Sequence, residues 1–574
     1  MVRLKHSPAG PCGPASPRPA DPRRAVLILG VIAVLVFVVY SPSLKGPFLW
    51  DDEHLVVNNT YLRSWTHVPQ ILASDIANGA GREYDFWRPL QVLSYLVDFT
   101  LWKLNPAGYH VVNVLLHLLA ASALFWLGCL IFADERPAVL AALFFAMHPA
   151  HTEAVSFVSG RADPLSLAFV LLAYCFLLKD GTPSRLYFFA GLGAYALALL
   201  ARESALLLPV LVFLGCVTLG RCVSRRAWAG LLGVSVLYAA LRLTVLRSIW
   251  PSEPLAQYTL AQRLPGAFAA FTGYLRVLLF PVGLHMEYGN RLVAWTDVRV
   301  TAGILAFCFF LGALFRKGTP GPVRFGLAWF LAALLPFLNV VAPLDATMAE
   351  HWLYLPSLGL FFILAWFLGR RWNAAPVASG AVAALLLLFW GASTFYHNRF
   401  WADPAMLFER IVKLAPQSTR ARVSLALTYL GAERFEEAEK LLVESLKEDP
   451  RDYVAYNALG SLYYRMNRKA DAEAAWRNGM AVEPRFGEFY SNLGVIEAEK
   501  GRLGEAIFFF KEAIKRNPRN ADAYKNAAVA CYGAGRYHEA LDYWDKGRAL
   551  GLREDPGLAQ SMERARRQIA VTDI

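Results

Sequence analysis

Three adjacent acidic residues are the strongest candidates for chemistry in this sequence. Asp51, Asp52 and Glu53 follow Trp50, shortly after the first long apolar run. Neighbouring carboxylates repel one another, and this repulsion raises their pKa values, which suits a base or a cation site. We therefore predict that Asp51 and Asp52 are catalytic, and that they are also candidate ligands of a divalent cation. Solvated loop charges are the simpler alternative, and no other cofactor is indicated.

A second polar group lies between two later apolar runs. His148, His151 and Glu153 have the side-chain types of a metal site, and Arg161 follows closely. Pro149 prevents a regular helical pair of the histidines, and no further ligand is evident. A polar turn that is hydrogen-bonded internally is therefore favoured over a metal site. Substrate binding by these four residues is a secondary prediction.

Three further polar sites stand beside or between apolar segments. Arg202 and Glu203 lie between two apolar runs. A charge within a membrane is energetically unfavourable, so charged residues there suggest function, although a structural ion pair explains them equally well. Arg88 follows two aromatic residues in the acidic segment. His351 and Tyr354 stand at the start of a late apolar run. We predict that these residues bind the substrate or a phosphate, while an aromatic belt at the membrane surface is the alternative for the last three.

The elements that hold these residues are of two kinds. The chain has 574 residues, of which 56% are hydrophobic and 18% charged, with a net charge of +12. Charged residues are sparse in residues 1–396 and more than twice as frequent in residues 397–574, whereas most of the net positive charge lies in the first part. This division predicts a membrane body joined to a soluble domain, and it excludes disordered, collagen-like and disulfide-rich classes. The cysteine spacing indicates neither a metal site nor a disulfide framework.

The membrane part begins with a Pro- and Arg-rich arm, residues 1–24, which we predict to be disordered and cytoplasmic. A first span from residue 25 and an extracytoplasmic loop, residues 41–108, follow. Ten more apolar runs lie near residues 109–132, 137–150, 164–178, 185–200, 204–220, 227–246, 301–315, 323–340, 352–369 and 376–396. Counting residues 264–281 as a span gives twelve spans, and treating them as an interfacial or re-entrant helix gives eleven. We prefer eleven, because the arginine clusters then face the cytoplasm, and the soluble domain lies outside it.

The soluble part is a repeat. Pro416, Pro450, Pro484 and Pro518 are evenly spaced, with a period of about 34 residues, which is that of the tetratricopeptide repeat (TPR). Small and aromatic residues recur at matching positions within each unit, as helix pairs in a solenoid require. Residues 397–556 are therefore predicted to form about four repeats, followed by a short tail, residues 557–574. The fold class is all-α throughout.

The motifs together resemble the transmembrane and TPR-containing O-mannosyltransferase family and its bacterial relatives, within the glycosyltransferase-C superfamily. Two positions depart from the family pattern: Arg202 stands where relatives often have lysine, and His351-Trp352 stands where Arg-Tyr is expected. The resemblance covers roughly residues 25–550. It rests on residues 48–52 with Asn58-Asn59, Trp87 to Leu90, Gly108 to His110 with Asn113 and His117, His148 to Val155, Ser159 to Arg161, Arg202-Glu203 and Tyr354 to Ser357.

The resemblance implies a membrane glycosyltransferase. Such an enzyme moves mannose or another hexose from a polyprenyl-phosphate donor to an acceptor outside the cytoplasm, with inversion. The implied partners are the lipid-linked sugar, membrane lipid and a polypeptide bound in the TPR groove, but not nucleic acid. A bacterial inner membrane with a periplasmic TPR domain fits the composition. The alternatives are a membrane-anchored TPR scaffold for envelope assembly and a transporter of a lipid-linked substrate.

Overall fold

A computed structural model describes residues 21–82, 84–132, 134–179, 185–246, 254–552 and 555–572. Within these ranges the chain is helical and contains no β-strand, so the all-α prediction is confirmed. Residues 1–20 of the predicted N-terminal arm lie outside the described residues. The last three residues of that arm are helical, because the Asp21 side chain accepts a hydrogen bond from the Arg23 amide and Pro22 occupies the first turn.

The membrane body contains fifteen described α-helices, joined in places by short 3₁₀ or π turns. They are α1 (Pro22–Tyr40), α2 (Val68–Leu72), α3 (Pro89–Trp102), α4 (Pro106–Ile131), α5 (Glu135–Met147), α6 (Thr152–Ser156), α7 (Ala162–Leu178), α8 (Leu186–Ala201), α9 (Leu208–Leu219), α10 (Arg225–Leu246), α11 (Leu260–Leu279), α12 (Val298–Phe315), α13 (Gly321–Leu334), α14 (Ser357–Trp372) and α15 (Pro376–Trp401).

Each predicted apolar run lies mainly on one of these helices, but fewer of them reach bilayer length. Among the described residues, six helices are long and apolar enough to cross a membrane, or seven if the bent pair of α5 with residues 149–156 is one span. The count of eleven spans therefore stays a prediction. α11 has 20 residues but does not belong to the six. Cys216 in α9 forms a disulfide bond with Cys222, a pairing that the cysteine spacing did not indicate.

The segment between α1 and α4 is a folded unit rather than an open loop. It contains α2, α3 and several single turns, and its apolar side chains form a buried cluster that includes Leu55, Leu62 and Ile71. One turn, Glu53–Val57, is a π-helix directly after the acidic pair. π-turns occur often at functional sites. We call residues 41–105 the first loop below.

The soluble part forms four helical hairpins between an entry helix and a terminal helix. α15 passes through the predicted domain boundary at residue 396 and ends at Trp401, and the terminal helix occupies most of the predicted tail. The helices are α16 (Pro404–Leu414), α17 (Thr419–Gly431), α18 (Phe435–Glu448), α19 (Tyr453–Arg465), α20 (Lys469–Val482), α21 (Gly487–Glu499), α22 (Leu503–Arg516), α23 (Ala521–Gly533), α24 (Tyr537–Ala549) and α25 (Pro556–Thr572).

Small residues let the two helices of a hairpin pack closely. A Cβ atom built on Gly460 would lie 2.3 Å from the indole nitrogen of Trp476, so no other residue fits there without a shift. Gly494 is in the same position against Phe510, one repeat later. The recurrence of this contact explains why the period of the sequence is also a structural period.

The TPR domain packs against the first loop along several of its repeats, and Arg519 at the far end contacts Asn78 and the Tyr61 ring. Near the start of the domain, the Trp50 indole N–H donates to the Ser424 hydroxyl at 2.6 Å. Farther along, Arg82 pairs with Glu488 at 3.1 Å. These contacts place the start of α17 beside the acidic pair of the first loop.

Candidate active site

A cavity of about 820 Å³ lies where the membrane body, the first loop, the segment between α11 and α12 and the start of α17 meet. Six of the predicted site residues line it, and we call them the cavity set. They are Asp51, Arg88, Glu153, Arg202, Glu203 and His351. The other five predicted residues are buried beneath the cavity, and we call them the buried set. They are Asp52, His148, His151, Arg161 and Tyr354.

Asp51 is the predicted base that faces the cavity. Its side chain is 43% exposed, and its nearest cation is Arg420, whose Nη2 lies 3.8 Å from Oδ1. The preceding residue, Trp50, has a φ of +44°, which a non-glycine residue rarely adopts. Such backbone strain is typical of functional sites, where the surrounding structure holds it in place. Asp51 and Asp52 follow as consecutive helical residues, so their side chains point in different directions.

Asp52 points into the protein and is 1% exposed. Its Oδ2 accepts the Leu49 amide at 2.9 Å, and its Oδ1 accepts the Ser159 amide at 2.7 Å and the Ser159 hydroxyl. Burial raises the pKa of Asp52 to about 7, although these hydrogen bonds act in the opposite direction. The arrangement connects the first loop to the turn before α7. Asp52 is therefore buried and hydrogen-bonded while Asp51 faces the cavity, a difference in environment that the sequence could not show.

Two arginines of the cavity set are each paired with a carboxylate. Arg88 donates from Nε and Nη2 to both oxygens of Glu203, at 3.0 and 2.6 Å. Arg202 forms an ion pair with Asp163, which also lines the cavity. Two planar, oriented guanidinium groups in one wall are suited to the recognition of a phosphate.

His351 and Glu153 form the third charged pair of the cavity set. The His351 Nδ1 lies 2.7 Å from Glu153 Oε1, and the His351 amide donates to Oε2 at 3.0 Å. Burial lowers the pKa of His351, but the charge and hydrogen bond of Glu153 outweigh burial, so the pKa lies above its ordinary value. The pair therefore favours a protonated imidazole in the wall of the cavity.

Arg161 does not line the cavity, and substrate binding by this residue stays a prediction. The side chain is fully buried and pairs with Asp98 at 2.5 Å. It also donates to Asn113 Oδ1 at 2.6 Å and to the Tyr109 carbonyl at 2.9 Å. Its donors join α3, α4 and the turn before α7, which favours a structural role over the holding of a ligand.

The histidines and tyrosine of the buried set are also placed away from the cavity. His148 bonds the Leu278 carbonyl at 3.1 Å, and His151 bonds the Phe145 carbonyl at 2.8 Å and Ser357 Oγ at 3.1 Å. The Tyr354 hydroxyl lies 2.6 Å from His117 Nδ1. For His148 and His151 these contacts favour the alternative, an internally bonded polar turn, and substrate binding by the three residues stays a prediction.

The metal prediction has little geometric support. In the part of the chain that the structure describes, no group of three His, Cys, Asp or Glu side chains is arranged to hold a metal ion. The carboxylate of Asp52 is also occupied by the amides of Leu49 and Ser159. A cation at this place would have to rely on Asp51 and on the substrate for its ligands.

Seven charged residues of the cavity wall were not predicted from the sequence: Asp163, Glu287, Arg291, Asp297, Arg299, Asp345 and Arg420. Asp163 lies two residues after Arg161, within a polar segment, so proximity to a motif was an available signal. Glu287 and Arg420 lie in no motif. They reach the cavity only because the segment between α11 and α12 and the start of α17 fold against the first loop.

The chain is similar to protein O-mannosyl-transferases of animals. Mouse protein O-mannosyl-transferase TMTC3 is 26% identical over 493 residues, covering 77% of this chain and 53% of the relative. The Caenorhabditis elegans protein O-mannosyl-transferase F38B6.6 is 24% identical, covering 78% of this chain and 66% of the relative. The homologues of this chain are O-mannosyl-transferases of the TMTC family. The chain spans about half the length of the two TMTC3 relatives, from mouse and human.

Models of the tetratricopeptide repeat match residues 457–514 and, separately, residues 405–459 and 497–549. The TPR prediction is thereby confirmed. Among solved structures, MamA covers 27% of this chain and 91% of its own, at 23% identity and a TM-score of 0.24. The thermophilic TPR protein TTC0263 of Thermus thermophilus covers 30% and 94%, at 23% identity and a TM-score of 0.26.

The TMTC relationship covers both parts of the chain that meet at the cavity. The matched portion of about three quarters of the chain is longer than the TPR domain, so the relationship does not rest on the repeats alone. Apolar helices of membrane-spanning length and TPR repeats both occur within the described residues of this chain.

Proposed function

We propose that the protein is a membrane glycosyltransferase that moves mannose or another hexose from a polyprenyl-phosphate donor to a serine or threonine hydroxyl of a polypeptide. The observation that carries the proposal is the cavity, which combines the half-exposed carboxylate of Asp51 with two oriented arginines. The relatives' name, protein O-mannosyl-transferase, favours mannose and a polypeptide acceptor.

In this proposal Asp51 is the base. Its carboxylate takes the proton of the acceptor hydroxyl while the hydroxyl oxygen attacks the anomeric carbon. The bond between that carbon and the phosphate oxygen breaks, and its electron pair leaves with the polyprenyl phosphate. Attack from the face opposite the leaving group inverts the anomeric carbon. Asp51 fits this role because it is the member of the acidic pair that lines the cavity.

The leaving phosphate needs its charge stabilised more than it needs a proton. Arg88 and Arg202 supply two guanidinium groups, and the carboxylates of Glu203 and Asp163 hold them in fixed orientations. Groups that are oriented before the reaction stabilise developing charge without reorganisation at the moment of reaction. His351, held by Glu153, adds a third donor to the same wall. Arg161 has no part in the chemistry of this proposal.

The surroundings of the cavity suit the two substrates. The isoprenoid chain of the donor lies in the membrane beside the body, and the polypeptide acceptor binds along the TPR domain, whose first repeat reaches the cavity. The proposal places the cavity and the TPR domain outside the cytoplasm, with eleven spans. A bacterial inner membrane and its periplasm are the proposed location.

The test is a transfer assay with the purified full-length protein. Radiolabelled polyprenyl-phosphate mannose and a peptide rich in serine and threonine are incubated with it, and labelled peptide is measured. We expect transfer by the wild type and a loss of about 10²- to 10⁴-fold in Asp51→Asn, because the base is removed. Wild-type protein that labels no peptide would contradict the proposal and leave the scaffold and transporter alternatives.

Glu53→Gln is the matched control. This acid is two residues from Asp51, but it is exposed, does not line the cavity and accepts a hydrogen bond from the Asn58 side chain. We expect Glu53→Gln to keep transfer within about twofold of wild type, since its charge is solvated. Equal losses in both variants would mean that general charge in the loop matters, and not the position of one base. Parallel assays with EDTA and with added Mg²⁺ or Mn²⁺ decide whether a divalent cation takes part.

A further inference from the structure

The first TPR repeat supplies a wall of the cavity. Gln417, Ser418, Thr419 and Arg420, at the start of α17, all line it. The Ser418 hydroxyl also donates to Glu287 Oε2 at 3.1 Å, so the start of this helix is bonded to a segment of the membrane body. The TPR domain is therefore continuous with the candidate active site.

Arg420 connects three residues from two different loops. Its guanidinium lies 4.3 Å from the centre of the Trp50 ring, which is a cation–π distance. The same group lies 3.8 Å from an oxygen of Asp51 and 3.8 Å from an oxygen of Glu287. One cation thus lies between two carboxylates that would otherwise repel each other across the cavity.

Trp50 is held by the same repeat. Its indole N–H donates to the Ser424 hydroxyl at 2.6 Å, and its ring packs against Phe408, with 5.4 Å between ring centres. Its φ of +44° is strained in a non-glycine residue and persists only where neighbours enforce it. The contacts with Phe408, Arg420 and Ser424 come from α16 and α17. Because Asp51 is the next residue along the chain, they also set the direction of its carboxylate.

We propose that Arg420 is a positioning residue for Asp51, so that the first TPR repeat completes the active site in addition to any role in binding acceptors. Arg420 stacks on Trp50 and thereby keeps the strained turn closed, and its charge keeps the Asp51 carboxylate within the cavity. This proposal rests on the proposed function, since the effect of Arg420 on catalysis is exerted through the proposed base.

A second contact between the TPR domain and the first loop offers a matched control. Arg82 and Glu488 form an ion pair at 3.1 Å, with side chains 33% and 31% exposed, and neither residue lines the cavity. Arg420 and Asp51 are more exposed, at 53% and 43%. If these contacts only hold the domain in place, Glu488→Gln should disturb transfer at least as much as Arg420→Gln.

The experiment compares full-length Arg420→Gln, Arg420→Lys and Glu488→Gln in the mannose-transfer assay. We expect Arg420→Gln to lower kcat by about 10- to 100-fold, because a small displacement of a catalytic group has effects of that size, while the KM for the lipid donor stays within about twofold. Arg420→Lys keeps the charge and should recover part of the loss. Glu488→Gln should keep wild-type kcat. Wild-type kcat in Arg420→Gln, or equal losses in Arg420→Gln and Glu488→Gln, would overturn the proposal.

A second readout does not depend on activity. Amide hydrogen exchange of residues 49–57 is measured in the same proteins, because release of the strained turn exposes these amides. We expect faster exchange in Arg420→Gln and wild-type exchange in Glu488→Gln. Unchanged exchange in Arg420→Gln would also overturn the positioning role. If the wild type transfers no mannose, the proposed function fails, and the exchange data still decide whether Arg420 holds the turn that carries Asp51.

Discussion

The cavity set and the buried set both contain aspartate, arginine and histidine, but their side chains have different surroundings. Asp51 is 43% exposed and lies 3.8 Å from the half-exposed guanidinium of Arg420, whereas Asp52 is 1% exposed and accepts three hydrogen bonds from Leu49 and Ser159. The same division separates Arg202, which lines the cavity, from Arg161, which is fully buried. Residue type therefore indicates which side chains are candidates for the site. Position in the fold decides which of them line the cavity and which are buried.

The largest expected effect tests whether Arg161 is a support. Arg161→Ala leaves Asp98 buried without its partner, and breaking a buried ion pair costs about 3–5 kcal/mol. We expect a large drop in the thermal unfolding temperature in detergent and a low yield of folded protein. The double variant Arg161→Met with Asp98→Leu removes both charges and should recover most of the loss. Wild-type stability in Arg161→Ala would contradict a structural role for this residue.

The next effect tests Asp52 as the support of Asp51. Asp52→Asn replaces one acceptor oxygen by an amide, and we expect a loss of about 1–3 kcal/mol in the free energy of unfolding at acidic pH. Since burial raises the folded-state pKa of Asp52 to about 7 from an ordinary 3.8, the folded protein keeps this proton longer than the unfolded chain. The stability due to Asp52 is therefore full below about pH 4 and is lost as the pH rises to about 7.

The measurement for Asp52 is chemical unfolding of wild type and Asp52→Asn between pH 4 and 8. The stability difference between the two proteins should shrink or reverse as the pH rises. A wild-type advantage that grows with pH would show that Asp52 is held as a carboxylate. It would then remain a candidate for the base.

A smaller effect tests the charged pair of His351 and Glu153. His351→Gln keeps a hydrogen-bond donor but removes the positive charge, and we expect kcat/KM for transfer to fall about 10-fold, as for one charge-assisted hydrogen bond. Because the folded-state pKa of His351 is raised, its contribution to stability is present below the ordinary value of 6.5 and is lost as the pH rises through the raised value. A loss of activity that does not depend on pH would contradict a role for the imidazolium.

The smallest effect is expected outside both sets. Arg477 and Glu473 form an exposed pair on α20, at 2.7 Å, with the arginine side chain 48% exposed. Arg477→Gln should change the free energy of unfolding by no more than about 0.5 kcal/mol and leave transfer unchanged. A large loss of transfer here would indicate that the TPR domain contributes charge to acceptor binding far from the cavity.

Much of the fold followed from local patterns. The even spacing of Pro416, Pro450, Pro484 and Pro518 predicted the TPR helices, because the period is that of the repeat and proline ends the helix before it. The apolar runs also located the membrane helices, because hydrophobic composition is a property of each segment by itself. Helix length was less predictable. It depends on caps such as Asp21 and on contacts with neighbouring helices, and the count of eleven spans remains a prediction for that reason.

The sequence by itself determined the two-part architecture and the polar motifs from which the candidate site is built, because periodicity and composition act over short distances along the chain. The tertiary structure decided the rest. It placed Asp51 in the cavity and Asp52 beneath it, gave Arg161 a buried partner in Asp98, and brought Arg420 to Trp50 from a distant part of the chain. Which face a side chain presents, and which distant charge it meets, depends on the packing of whole elements. No local pattern of residues contains that information.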